Sequence, residues 1–283
     1  MTRILKSKPV TDAIAADLAH RVERLKTLGI EPTLAIVRVG SRPDDLSYER
    51  TACKRAKALG LTTRVFELDE KVSQEKLLLQ IRRINADSNI HGCLVFRPLP
   101  SEMEDKLVCD ELAMAKDIDG VSTASLGAVF TDAKEGFAPS TAEACVRALD
   151  FYDIPVEGKH VVVVGRSLVV GKPVAMLLLR RNASVTICHS RTEDLPKIMR
   201  TADIVICATG RARAFDASCF REGQTVLDVG INFDKDGNLC GDVDYESVEP
   251  VVDAITPVPG GLGSVTTSIT MEHTVSAAEK TIR

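Results

Sequence analysis

The sequence predicts an α/β fold in two domains, each a mainly parallel sheet covered by helices. Three observations carry that prediction. Strand-like and helix-like patterns alternate along most of the 283 residues, the order that builds parallel sheets from βαβ units. The alternation pauses over residues 127–139 and restarts more regularly at His160. The run Val161-Val162-Val163-Val164 is β-branched throughout, as a strand buried on both faces should be.

Each element has its own local warrant. Residues 11–28 carry apolar side chains at Ile14, Leu18, Val22 and Leu25, a helical spacing closed by Gly29. Residues 33–39 (TLAIVRV) read as a strand ending at Gly40, and 44–59 as a helix closed by Gly60. A strand over 61–68 and a helix over 74–85 follow. Residues 91–96 (HGCLVF) form a short buried strand that the prolines Pro98 and Pro100 terminate. Ser140 or Thr141 can cap a helix over 142–151. In the second half, strands over 160–165, 184–190, 203–210 and 225–232 alternate with helices over 171–181 and 192–201. They make a doubly wound domain over about 156–257, and a last helix over 268–282 packs back on the first domain. The expected division is a first domain over 1–139 joined by that helix, and a second over 140–267.

Composition narrows the classes of function. A 45 % apolar content supports real cores, and the net charge of −4 argues against nucleic acid or an anionic membrane as partner. No apolar stretch approaches the ~20 residues that span a bilayer, and residues 1–10 show no signal-peptide core. The eight cysteines are scattered without a C-x-x-C pair or a histidine cluster. Reduced thiols, a cytoplasmic location and no metal site are therefore expected.

The loop after the valine strand carries the chemistry. Gly165-Arg166-Ser167 leads through Val170 to Gly171 and a helix. Gly165 permits a tight turn, Gly171 permits close packing of the helix, and the amides at that helix start can face a pyrophosphate. Ser167 stands where the usual fingerprint has its second glycine. This strand–loop–helix context makes the second domain Rossmann-like and NAD(P)-binding. The next strand ends His189-Ser190-Arg191-Thr192, without the acid that accepts from the ribose 2′-hydroxyl in NAD-selective folds. With Arg166 and Arg191 able to meet a 2′-phosphate, the expected cofactor is NADP rather than NAD.

These segments, together with Asp228-Val229-Gly230-Ile231-Asn232 and Thr256-Pro257-Val258-Pro259-Gly260-Gly261, occur in an order that resembles the methylenetetrahydrofolate dehydrogenase/cyclohydrolase family (FolD). In the N-terminal half, Gly40-Ser41 to Tyr48, Pro98-Leu99-Pro100 and Lys116-Asp117-Ile118-Asp119-Gly120 agree, so the resemblance covers nearly the whole chain. It implies an N-terminal α/β folate domain, a C-terminal NADP domain, a cleft between them and a homodimer. It also implies oxidation of 5,10-methylenetetrahydrofolate to the methenyl compound in one-carbon metabolism. By the resemblance, Asp119 accepts hydrogen bonds from the pterin amino group and ring nitrogen, and Tyr48 packs beside the reacting carbon. Pro259, Gly260 and Gly261 line the folate side. Gly165, Arg166, Ser167, Gly171, Ser190, Arg191 and Ile231 meet the cofactor.

Two departures bear on the second activity. The family pattern Tyr-x-x-x-Lys becomes Tyr48 with Ala52, and the glutamine before the Leu-Pro-Leu segment becomes Phe96, followed by Arg97. Lys54 lies about 240° around the helix from Tyr48, and Arg55 returns to its face ~10 Å further along. The expectation is a dehydrogenase with weak or absent cyclohydrolase activity. The alternatives are a fully bifunctional enzyme and a non-catalytic nucleotide- or folate-binding regulator.

Overall fold

A computed structural model describes residues 1–282. The chain divides into two compact units, one of Ala13–Ser140 with Thr267–Arg283, the other of Met1–Asp12 with Thr141–Thr266. Strand β1 (Arg3–Ile4) and helix α1 (Ser7–Thr27) come first. The helix begins earlier than its apolar spacing predicts. Pro9 falls in its first turn, where a missing N–H costs nothing, and the Ser7 amide and hydroxyl donate to the Gly260 carbonyl at 2.8 and 3.0 Å.

The first unit is built on three parallel strands, β2 (Thr33–Val39), β3 (Thr62–Leu68) and β4 (Gly92–Val95), in the order β3-β2-β4. Helix α2 (Pro43–Ala58) joins β2 to β3, and α3 (Gln74–Ala86) joins β3 to β4. Every residue of β2 is buried, as a central strand requires. The charge at Arg38 is tolerated there because Glu49 and Glu67 meet it at 2.7 and 2.9 Å. Helix α3 presents Leu77, Ile81 and Ile84 to a core that also holds Ala35, Val37, Cys93 and Val95. Beyond β4 come α4 (Asp105–Glu111) and α5 (Thr123–Thr131), and α6 (Ser140–Phe151) then belongs to the second unit from Thr141 onward. Helix α5 lies partly in the segment expected to be an unpatterned connection. Ser122 starts it by accepting from Ser125 N, and Asp132, left-handed at φ 55°, ends it.

The second unit continues with β5 (His160–Val164), α7 (Gly171–Leu179), β6 (Ser184–Cys188), α8 (Leu195–Met199), β7 (Ile204–Cys207) and β8 (Thr225–Asp228). A hairpin of β9 (Asn232–Phe233) and β10 (Leu239–Cys240) follows, then α9 (Tyr245–Val248), β11 (Ala254–Ile255) and α10 (Gly263–Glu279), which from Thr267 onward belongs to the first unit. Helix α8 is shorter than expected because Asp194 is left-handed at φ 49° and Pro196 sits in the first turn. The six-stranded sheet is parallel in the order β6-β5-β7-β8-β11-β1. Val162 and Val164 join one core cluster with Val205, Cys207, Val226 and Ile255. Val161 and Val163 are equally buried, so helices cover both faces. Starting from β5 the strand order is 2-1-3-4-5, and the direction of winding reverses between β5 and β7. Ligands of open α/β sheets bind beyond the strand ends at such a reversal.

Candidate functional site

The first unit gathers Tyr48, Phe96, Asp119 and Thr267. Tyr48 lies on α2, and Phe96 directly follows β4, its amide donating to Val37 O at 2.9 Å. Their ring centroids are 5.3 Å apart at 48°. Tyr48 keeps 39 % of its surface exposed, yet its hydroxyl end is desolvated and hydrogen-bonded to Thr267. Desolvation, helped by the negative charge of Asp119, pushes the phenol up to about 12, so it stays protonated at neutral pH. Ala52, one turn from Tyr48, is fully buried, and Phe96 is buried too. The wall beside the phenol is therefore apolar. Lys54 is exposed, while the Arg55 guanidinium donates to Ser268 Oγ at 2.7 Å.

Asp119 is held by the turn before α5. Buried Asp117 accepts from the amides of Val121 and Ser122 at 3.1 and 2.9 Å. Cys93 N donates to Lys116 O at 2.8 Å, in a parallel bridge that ties this turn to β4. His273 Nδ1 donates to Ile118 O at 2.7 Å while its ring stacks on Phe137 at 4.7 Å. The half-buried Asp119 carboxyl is pushed up to about 6, chiefly by desolvation. The Arg97 charge opposes that rise, Asp117 adds to it, and the Ser140 hydroxyl and His273 oppose it.

In the second unit a cavity of about 280 Å³ opens at the winding reversal, lined by Gly165, Arg166, Ser167, His189, Ser190, Thr209, Arg211 and neighbours. Gly165 has φ +133°, and a Cβ there would strike the Ala208 carbonyl oxygen; one on Gly171 would strike Gly165 O. The Ser167 hydroxyl accepts from the amides of Val170 and Gly171 at 3.1 and 3.5 Å. Among the described residues no carboxylate lines this cavity, while Arg166 and Arg211 do. Arg191, expected there, is exposed but outside the lining. Arg211, which sequence reasoning missed, takes a place in it.

Two buried carboxylates underpin the loops around that cavity. Asp242 accepts from Thr209 N, Thr209 Oγ1 (2.9 Å), Gly210 N (3.2 Å), Arg211 N (3.0 Å) and Asn232 Nδ2 (2.9 Å). Asp228 accepts from Gly230 N and Asp242 N, both at 3.0 Å, and from Val243 N at 2.9 Å. A side chain at Gly230 would run into Asp242, and one at Gly241 into Asp228. Burial pushes the Asp228 carboxyl up to about 6 against these donors. Ile231 stands on the loop so fixed, 65 % exposed. Pro259 and Gly260 line a separate cavity of about 630 Å³ in this unit with Lys6, Lys8 and Arg213, and Gly261 lies just outside its lining.

Among the described residues no cluster of histidine, cysteine and acidic side chains has metal-site geometry. No helix among the described residues is long and apolar enough to cross a membrane. The cysteines are unpaired, and burial pushes Cys93 and Cys145 up to about 12, which makes them poor nucleophiles.

Comparison with known proteins bears on both units. Residues 5–119 match the tetrahydrofolate dehydrogenase/cyclohydrolase catalytic domain, and 139–282 match the NAD(P)-binding domain of the same family. The chain is 50 % identical over 281 residues to the bifunctional protein FolD of Carboxydothermus hydrogenoformans, covering 99 % of this chain and 98 % of that one. It is similar to the crystal structure of bifunctional FolD from Campylobacter jejuni, with TM-score 0.97, 35 % identity and full coverage of both chains. It is also similar to the Trypanosoma brucei dehydrogenase-cyclohydrolase complexed with NADP cofactor and inhibitor, with TM-score 0.93, 31 % identity and coverage of 100 % and 99 %. A winding reversal with an acid-free cavity, a half-buried aspartate whose charge reaches a tyrosine, and matches along both halves lead to one assignment: the chain belongs to the tetrahydrofolate dehydrogenase/cyclohydrolase family.

Proposed function

We propose that this protein oxidises 5,10-methylenetetrahydrofolate with NADP and retains little or no cyclohydrolase activity. The observation that carries the second clause is the apolar wall beside Tyr48, with Ala52 and Phe96 buried where the resemblance expects a lysine and a glutamine. Asp119, ionised above about pH 6, holds the pterin through its amino group and ring N–H. Tyr48, protonated and packed on Phe96, borders the one-carbon bridge. Lone pairs of the folate nitrogens expel the hydride, so these side chains orient the substrate and no strong base is needed.

The residues of the second unit fit a phosphorylated dinucleotide. Gly165 lets the chain turn tightly against Ala208 in the cavity's lining, and the α7 amides face the loop. The Arg166 and Arg211 side chains and the Ser190 hydroxyl offer donors in a cavity without carboxylates. When bound, NADP supplies the hydride acceptor. The chain's part is to hold it through Gly165, Ser167, Gly171 and Ser190, with Arg166 on the ribose phosphate and Ile231 bordering the ring.

Hydrolysis of the methenyl product makes a different demand, because adding water requires managed proton transfer, worth roughly 10²–10⁴-fold. The bifunctional reading is favoured by the full-length likeness to relatives described as bifunctional. Two assays separate the readings. NADP reduction with methylenetetrahydrofolate tests the dehydrogenase. Loss of methenyltetrahydrofolate absorbance against an enzyme-free control, in a non-catalytic buffer, tests the second step. Rapid hydrolysis would overturn the reduced-cyclohydrolase reading, and absence of NADP reduction would overturn the dehydrogenase.

A further inference from the structure

The Arg97 side chain has no place in the chemistry described so far. It follows Phe96, whose ring meets Tyr48, and the parallel bridge of Cys93 with Asp117 carries this end of β4 alongside the turn that bears Asp119. Arg97 is half-buried, and no hydrogen bond or ion pair engages its guanidinium among the described residues. Its charge nevertheless acts on the Asp119 carboxyl and on the Cys109 thiol. The guanidinium thus stands close enough to Asp119 to be felt, without being consumed by it. Its five N–H donors meet no acceptor among the described residues and so remain available to a bound one.

The ligand chemistry supplies such an acceptor. The recognition edge of a 4-oxo pterin presents an amino donor, a ring N–H donor and a carbonyl oxygen in sequence. A carboxylate satisfies the two donors and leaves the carbonyl unmet. We infer that Arg97 is a specificity-determining residue that donates to the 4-oxo group of the pterin while Asp119 accepts from its neighbours. This rests on the folate reading above and deepens it. A 2,4-diamino pteridine has an amino group in place of the oxygen and no adjacent ring N–H, so it sets donor against donor at Arg97 and acceptor against acceptor at Asp119; only the first mismatch is relieved when Arg97 is removed.

The test compares tetrahydrofolate with its 2,4-diamino counterpart carrying the same tail, by binding titration to the full-length protein. The wild-type protein should prefer the 4-oxo compound by roughly ten-fold or more, because a site built around a donor penalises a ligand that cannot accept. Arg97→Met should weaken 4-oxo binding by roughly 10- to 100-fold, leave or improve 2,4-diamino binding, and leave the dissociation constant of NADP unchanged. Arg97→Lys, which keeps a donor and a charge, should retain intermediate discrimination and serves if the methionine variant fails to fold. Equal losses for both pterins, or no loss for either, would overturn the inference while leaving the folate reading intact. Failure of the wild-type protein to bind either pterin would overturn both.

Discussion

Lowering the pH should switch off folate turnover through Asp119 before it harms the fold. The shift of this carboxyl from 3.8 to about 6 corresponds to ~3 kcal/mol of disfavoured charge, at 1.36 kcal/mol per unit. A group of that pKa is ~97 % ionised at pH 7.5 and ~9 % ionised at pH 5. If only the ionised carboxylate accepts from the pterin, kcat/KM for methylenetetrahydrofolate should fall about ten-fold between those values, with KM for NADP nearly constant. The acid limb should move upward in Arg97→Met, because the opposing positive charge is gone, and vanish in Asp119→Asn. Stability runs the other way. The folded-state value lies above the unfolded one, so between about pH 4 and 6 the native chain keeps a proton that the unfolded chain has released. The contribution is fully present below that window and is lost as pH rises through it, and Asp228, also near 6, acts in the same direction. Initial-rate profiles paired with urea titrations at each pH check both trends. A flat wild-type profile, or an acid limb that persists in Asp119→Asn, would refute the role given to this carboxylate.

The remaining expectations concern other parts of the molecule. Ala52→Lys combined with Phe96→Gln should install measurable hydrolysis of methenyltetrahydrofolate, and an unchanged rate in a folded double variant would show that the wall beside Tyr48 is not what limits it. Arg166→Ala should weaken NADP binding more than Arg191→Ala, since Arg166 lines the cavity and Arg191 does not; titration of both variants decides the order. Asp242→Ala strips the acceptor from five donors, four of them in the Thr209 to Arg211 loop. It should cost ~3–5 kcal/mol of unfolding free energy, as breaking a buried charged network does, together with NADP affinity. Urea denaturation showing a loss under ~1 kcal/mol would count against it.

Strands were the most legible part of this chain, because a parallel sheet covered on both faces demands continuous apolar runs such as TLAIVRV and HVVVV. The turn glycine Gly165 was legible for a related reason: few residues tolerate its φ and its contact with Ala208. Strand β1 was not, since two residues have no periodicity and their partner lies at the far end of the chain. Helix α8 was read too long because left-handed Asp194 carries no composition signal. In the site, Tyr48 and Asp119 came from motif order, whereas Thr267 and His273 arrive on α10, remote in sequence. Arg97 and Arg211 are single arginines in loops, and no pattern separates such a residue from a solvated one. Asp242 reads as an ordinary loop acid until its five donors are seen together.

The pairing of β1 has a consequence for how this protein is made. Arg3 and Ile4 lie beside Ala254 and Ile255, and Leu5 N donates to Ile255 O at 2.8 Å. Translation delivers β1 long before its partner, so this segment must wait, unpaired, while the first unit's sheet is synthesised and closed. Loss of β1 would leave β11 as a bare edge, open to strands of other chains. The damage from losing this segment would thus surface only once β11 is made, as aggregation through the second sheet rather than as failure of the first.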